Sequence, residues 1–192
     1  MIPRAQVRLV AFAATGLVAA CVRTPAVRYY TIPDLRGAPP PARSQPEGYS
    51  VRVAAVVPDE LDRPELVLKL SPTEVLIDDG HRWAEPLPTA LARAVTANLA
   101  RDLAGARVQL ADEAREAADV EVALRVRHLD LELGRQVDLE VIWEIRSADR
   151  RSRTGGSVAH APVAGPGYDA LAVACARALA TVSDDLSGAL PK

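Results

Sequence analysis

The side chains that could perform acid–base, nucleophilic or metal chemistry are few in this 192-residue chain. Its histidines lack the close spacing of dedicated metal sites, and no serine stands in a Gly-x-Ser-x-Gly setting. Asp78 and Asp79 are adjacent and precede a glycine, which is typical of a turn. The histidines are His81, His128 and His160, and the serines considered are Ser152, Ser157 and Ser183. The sequence therefore predicts no catalytic residue, no metal site and no cofactor, and we do not expect an enzyme.

The cysteine at position 21 has the most specific chemical context. Two arginines precede the apolar run 9–20, and small residues stand directly before Cys21. A basic start, a short apolar stretch and small residues before a cleavage point are typical of an export signal. Val18-Ala19-Ala20-Cys21 resembles a bacterial lipobox, in which the cysteine is acylated and the peptide is cut before it. We therefore predict a lipoprotein signal peptide over residues 1–20 and lipidation of Cys21.

Two alternatives exist for this segment. A transmembrane helix of these twelve residues would span only about 18 Å of a hydrocarbon core about 30 Å thick. An ordinary signal peptide with an incidental cysteine is the second alternative, but the linker-like chain after Cys21 favours a tethered domain. Stable anchoring takes more than one acyl chain, which a multiply acylated cysteine supplies. Val22, in place of an aspartate, points to the outer membrane with the domain facing the periplasm.

Composition bounds the partners of the mature chain. Cleavage would remove two of the 23 Lys/Arg and none of the 25 Asp/Glu, which leaves a mildly acidic protein. Nucleic acid and polybasic membrane patches both need clustered Lys/Arg, and the 4% aromatic content offers no stacking platform for bases. If Cys21 is lipidated, Cys175 has no cysteine in the chain with which to form a disulfide. The folded domain must therefore be stabilised by packing of its core. We expect one domain that does not bind nucleic acid.

Apolar periodicity predicts an α+β fold with a mostly antiparallel β-sheet and two main helices packed on one face. Residues 21–49 would hold the lipidated N-terminus, a first short strand and a Pro/Ala-rich linker, and residues 50–190 the folded domain. The apolar positions change parity between Val126 and Leu129, which predicts a β-bulge near Arg127-His128. Gly134-Arg135 is expected to form a two-residue turn.

Several segments together resemble the auxiliary lipoproteins of ABC-type lipid-transport systems, the PqiC-like group. They are Tyr29-Tyr30-Thr31 shortly after the lipobox, Val57–Pro64 with its Leu-Asp-Arg-Pro, Arg82–Leu87 with its Trp-Ala-Glu-Pro-Leu, and Asn98-Leu99-Ala100. The resemblance covers about residues 21–188. It implies a non-enzymatic lipoprotein of the outer membrane that acts as accessory and docking component beside an MCE-type protein, which carries lipid across the periplasm.

The candidate partner-binding residues are Leu61, Asp62, Arg63, Arg82 and Trp83. Trp and Arg are enriched in interface hot spots, but for Trp83 we favour the alternative that it caps the core where the helix begins. The loop with Leu61 either binds a partner or is a turn with a local Asp62–Arg63 pair. Two other functions remain open, namely activation of a cell-wall (peptidoglycan) enzyme and direct carriage of an acyl chain in an apolar pocket. A homo-oligomer is possible on exposed edge strands.

Overall fold

The computed structural model describes residues 26–37, 49–103, 105–114 and 116–190. The predicted signal peptide and Cys21 lie outside these residues. The described chain forms eight strands and two helices. In chain order they are β1 (Arg28–Tyr30), β2 (Ser50–Val56), β3 (Glu65–Ser71), β4 (Glu74–Trp83), α1 (Leu87–Asp102), β5 (Arg107–Leu110), β6 (Val120–Glu132), β7 (Gln136–Ser147), β8 (Ser152–Pro162) and α2 (Tyr168–Ala189). No helix within the described residues is long and apolar enough to span a membrane.

The thirteen-residue strand β6 is the axis of the sheet. Along one side it pairs antiparallel with β7, which pairs antiparallel with the edge strand β8. Along its other side it pairs in parallel with β2 near its start and with β3 near its end. β5 extends the sheet beyond β2, whereas β4 and then β1 extend it beyond β3. A single long strand therefore joins two smaller groups of strands.

The prediction of a mostly antiparallel sheet is wrong, because the observed sheet is mixed. Four strand pairs are parallel, namely β1–β4, β2–β5, β2–β6 and β3–β6, against three antiparallel pairs. Alternation of apolar residues shows which face a side chain takes, but it carries no information on the direction of the neighbouring strand. Here α1 is the crossover that returns β5 to the sheet, and parallel pairing requires such a connection.

Both helices lie side by side against one face of the sheet. Pro86 stands directly before α1, where its missing N–H removes no helical bond. The predicted stripes are buried, with Leu87, Leu91, Val95, Leu99 and Leu103 from α1 and Leu171, Cys175, Ala178, Val182 and Leu186 from α2. The sheet contributes the apolar positions of β2, β6 and β7. The domain therefore has one continuous core between the helices and the sheet.

The change of parity in β6 is resolved by a β-bulge, as predicted. Val126 pairs with Val141 and His128 pairs with Glu140, so that Arg127 is the inserted residue. The valine and leucine side chains of β6 before and after the bulge consequently all reach the core. The following turn differs from the prediction, because Glu132 pairs directly with Gln136. It is a three-residue loop with Gly134 at its centre, at φ +71°, which glycine adopts without strain.

Asp78-Asp79-Gly80 lies within β4, so the predicted turn is wrong. Leu66 pairs with Asp78 whereas Glu65 pairs with Arg82, so β4 carries extra residues against β3 at this point. The Asp78 carboxylate accepts a hydrogen bond from the Gly80 N–H at 3.0 Å. The local side-chain chemistry of a turn is thus present, but it shapes an irregularity inside a strand.

The start of the predicted linker is packed on the helices. The Arg36 guanidinium contacts Asp102 of α1 at 3.0 Å and Asp184 of α2 at 2.7 Å. Asp34 forms an ion pair with Arg101. Residues 38–48 lie outside the described residues. The chain between β1 and β2 is therefore attached to the domain at both of its ends.

Candidate partner-binding site

Three of the four segments that carry the family resemblance meet at one corner of the domain. The Trp83 N–H donates to the Pro64 carbonyl at 2.8 Å, and the Ala84 N–H donates to the Tyr30 carbonyl at 2.8 Å. β1 pairs with β4 in the register Tyr29–Arg82 and Tyr30–Trp83. The end of the loop 57–64, strand β1 and the start of α1 thus converge on the last residues of β4. We call this region the motif corner.

Two of the candidate residues form the interior of the motif corner. Leu61 and Trp83 are only 9% and 3% exposed and belong to the core. The Leu61 N–H donates to the Pro58 carbonyl at 2.9 Å, which closes a turn and directs the Leu61 side chain inward. These two side chains therefore position the loop and the end of β4, and the surface is made by their neighbours.

The outer face of the motif corner carries Tyr29, Glu65 and Arg82 in one row across three strands. Paired residues of adjacent strands point to the same face, and Tyr29 and Glu65 both pair with Arg82. An Arg82 Nη atom lies 3.3 Å from a Glu65 carboxylate oxygen, while Tyr29 is 63% exposed. Sequence alone did not select Tyr29 and Glu65, because only the strand register places them beside Arg82.

Arg63 and Asp62 lie at the edge of this row. Asp62 is exposed, and no ion pair joins it to Arg63, although the structure describes both residues. The Nε atoms of Arg63 and Arg82 are buried without a hydrogen-bond partner. These buried atoms are out of a partner's reach, but both arginines are partly exposed. Two partly exposed guanidinium groups beside an exposed tyrosine can bind a partner that presents carboxylates or carbonyl oxygens.

A polar aromatic cluster that the sequence did not indicate lies on β4 beside the motif corner. The His81 ring stacks on Tyr168 with centroids 3.7 Å apart, and Tyr30 lies tilted against both rings. The Asp78 carboxylate accepts a hydrogen bond from the Tyr168 hydroxyl. His81 Nδ1 lies 2.9 Å from an oxygen of the same carboxylate. This cluster fastens the start of α2 to the edge of the sheet.

The electrostatics of the cluster favour the ionised form of the Asp78 carboxylate. Desolvation raises the pKa of Asp78, but hydrogen bonds from Tyr168, His81 and Gly80 outweigh it and hold the pKa below the usual carboxyl range. Desolvation, together with the adjacent Asp78, raises the pKa of the Tyr168 hydroxyl to about 12. The Asp78 carboxylate already accepts several hydrogen bonds and the Tyr168 phenol stays neutral, which suits a structural role for both. Within the described residues, no three His, Cys, Asp or Glu side chains are grouped as a metal site.

The outer surface of the two helices carries an open groove of about 450 Å³. Its floor is made of alanines of α1 and α2, and the segment 32–36 covers one side. Arg36, Arg93 and Arg177 line its rim. The groove lies outside the core between helices and sheet, so an acyl chain bound there would remain partly in water.

The comparison with known protein families decides the identity. A family model for the ABC-type transport auxiliary lipoprotein component matches residues 30–187. The chain belongs to this family. The match begins at Tyr30, the last residue of β1, and ends within α2. It includes the loop 57–64, the end of β4 and the start of α1, whereas Tyr29 lies directly before it. The family assignment makes the chain a lipoprotein and an auxiliary component of ABC-type transport.

Two solved structures show the same fold as this auxiliary lipoprotein. A crystal structure of an uncharacterized protein superposes with a TM-score of 0.72 at 18% identity, over 86% of this chain and 99% of the other. The structure of a Xanthomonas campestris protein of the DUF330 family gives a TM-score of 0.64 at 22% identity, over 84% and 93% of the two chains. A search of the curated proteins found no match.

Proposed function

We propose that this auxiliary lipoprotein is anchored in the outer membrane through acyl chains on Cys21 and faces the periplasm. There it acts as a non-enzymatic docking component for an MCE-domain protein of a lipid-transport complex. Family membership supports the accessory role. Val22 after the cysteine supports the outer membrane over the inner one. A transport protein rooted in the inner membrane needs such a receptor at the other side of the periplasm.

The motif corner is the observation that carries the docking proposal. Segments of the chain far apart in sequence supply an exposed tyrosine and two arginines at one place. Their backbones are tied by hydrogen bonds and their apolar side chains are buried, so the surface is rigid. A preformed patch loses little conformational entropy on binding, which favours a specific partner.

Capture of the partner from envelope extracts tests the proposal. The acylated full-length protein should retain an MCE-domain protein, and the double variant Tyr29→Ala/Arg63→Ala should retain at least tenfold less. Arg151→Ala is the matched control, because Arg151 is an exposed arginine in the turn between β7 and β8, beside the start of β6 and away from the motif corner. The control should capture the same amount as the unchanged protein.

The alternative function, activation of a cell-wall enzyme, predicts a different result. Exclusive capture of a peptidoglycan synthase, independent of Tyr29 and Arg63, would replace the transport proposal. Genes for an ATPase, a permease and an MCE protein beside the gene of this chain would support transport. Measuring the mass of the purified protein in solution at several concentrations would establish whether copies of the chain assemble.

A further inference from the structure

Exposed aliphatic side chains are concentrated at the tip of the β3–β4 hairpin. They are Leu70 on β3 and Val75, Leu76 and Ile77 on β4, each between 43% and 62% exposed. Successive side chains of a strand point to opposite faces, yet all three residues on β4 are exposed. The tip therefore projects beyond the part of the sheet that the helices cover. Single exposed aliphatic residues are common, whereas a contiguous patch marks a contact surface.

The turn between β6 and β7 ends beside this hairpin. β3 runs parallel to β6, and Leu68 pairs with Leu131, so the ends of both strands point in the same direction. Leu133 in the β6–β7 turn is 42% exposed. The lysine and arginine nearby are paired with carboxylates, Lys69 with Asp130 and Arg135 with Glu132. We call Leu70, Val75, Leu76, Ile77 and Leu133 the aliphatic tip.

The chain leaves the domain toward the aliphatic tip. β1 is parallel to β4, with Arg28 opposite His81, so the N-terminal end of β1 points toward the start of β4 at the hairpin. Cys21 precedes Arg28 by seven residues, and a chain of that length spans at most about 25 Å. The stretch of β4 from His81 back to Glu74 covers a similar distance, at most about 23 Å. The acylated cysteine can therefore reach the tip and little farther.

The Pro/Ala-rich segment does not lengthen this tether. It follows β1, which is paired with β4, and its start at Asp34 and Arg36 is bound to the helices. Its other end enters β2. Only the residues between Cys21 and Arg28 separate the acyl chains from the folded domain, so the domain is held close to the bilayer surface.

We propose that the aliphatic tip inserts into the interface of the bilayer that holds the acyl chains. This inference rests on the proposed lipidation of Cys21. The acyl chains on the short tether are one attachment to the membrane, and the aliphatic tip is a second. Two attachments to one membrane together orient the domain. The motif corner, at the far end of β4, then faces away from the membrane by up to about 26 Å. That orientation presents the docking surface to a protein that approaches across the periplasm.

Fluorescent labelling of the acylated full-length protein in phosphatidylethanolamine/phosphatidylglycerol vesicles tests the orientation. Single cysteines are introduced by Val75→Cys and Leu133→Cys at the tip, and by Ala148→Cys as a control in the exposed turn at the opposite end of β7. Cys175 is fully buried and remains unlabelled. Labels at both tip positions should be protected from aqueous iodide and quenched by spin-labelled lipid. The label at position 148 should show the opposite behaviour.

Two results would overturn the inference and leave the proposed function standing. The first is iodide access at the tip equal to that at position 148, with the protein still bound to vesicles and still capturing its partner. The second is protection from iodide without quenching by the lipid, since that would show the tip buried between copies of the chain. Loss of vesicle binding, with mass spectrometry showing an unmodified Cys21, would overturn both the anchor and the orientation.

Discussion

A Cβ atom on Gly155 would lie 2.2 Å from Cζ2 of Trp143, because the indole crosses the neighbouring strand where β8 has no side chain. The two residues are direct partners across β7 and β8. The indole ring extends beyond Gly155, and its Nε1–H donates a hydrogen bond to the Ser157 hydroxyl at 3.2 Å. The edge strand β8 is thereby joined to the core.

Gly155→Ala should destabilise the domain by about 1–3 kcal/mol, because the indole must move off its rotamer and lose the bond to Ser157. Urea unfolding of the purified protein measures the change. Gly156→Ala is the control, since its Cβ would meet only the Val141 carbonyl oxygen at 3.6 Å. Equal stability of the two variants would contradict the crossing of Trp143 over Gly155.

Asn98 and Ser183 form a buried hydrogen bond between the two helices. Asn98 Nδ2 donates to Ser183 Oγ at 3.1 Å, and the Ser183 hydroxyl donates to the Leu179 carbonyl. Asn98→Ala should cost about 1–2 kcal/mol of unfolding free energy, because a buried polar group loses its partner. A double-mutant cycle with Ser183→Ala should give a coupling of about 1 kcal/mol. Ser187 lies on α2 like Ser183 but is not fully buried, so Ser187→Ala should change the unfolding free energy little.

The unfolding free energy should fall with decreasing pH partly through Asp78. Its pKa is lower in the folded protein than in the unfolded chain, where it is about 3.9. The stabilisation is therefore complete above the unfolded pKa and is lost as the pH falls through the folded one. Tyr168→Phe removes one donor, so this acid-dependent loss should be smaller than in the unchanged protein. Tyr29→Phe, at an exposed tyrosine, should leave the pH profile unchanged.

Cys175 should resist thiol reagents in the folded protein. The side chain lies in the core under α2, and burial raises its pKa to about 12, so the reactive thiolate is scarce at neutral pH. Labelling with a maleimide should be fast in denaturant and very slow in native buffer, where it requires opening of the core. Rapid labelling in native buffer would contradict a closed core.

The spacing of apolar residues and the positions of proline and glycine predicted the two helices and most of the strands. Helix stripes, the place of Pro86 before α1 and the bulge at Arg127 follow from local spacing, because each depends on residues that are near in sequence. The same local signals were wrong at Asp78-Asp79-Gly80. There, Asp78 pairs with β3 and His81 pairs with β1, and these pairings before and after Asp79-Gly80 keep the chain extended despite its turn residues.

Only the tertiary structure decided the directions of the strands and the composition of the surfaces. Arg82 could be selected from its motif, but Tyr29 and Glu65 join it through pairings with distant strands, one of them parallel. Likewise, Leu70 continues the apolar alternation of Leu66 and Leu68, yet it is exposed because β3 extends beyond the helices. The sequence by itself determined the two helices, most strands and the buried apolar stripes of α1, α2, β6 and β7, since these arise from local geometry. Which exposed residues share a surface depended on long-range pairing, which periodicity does not encode.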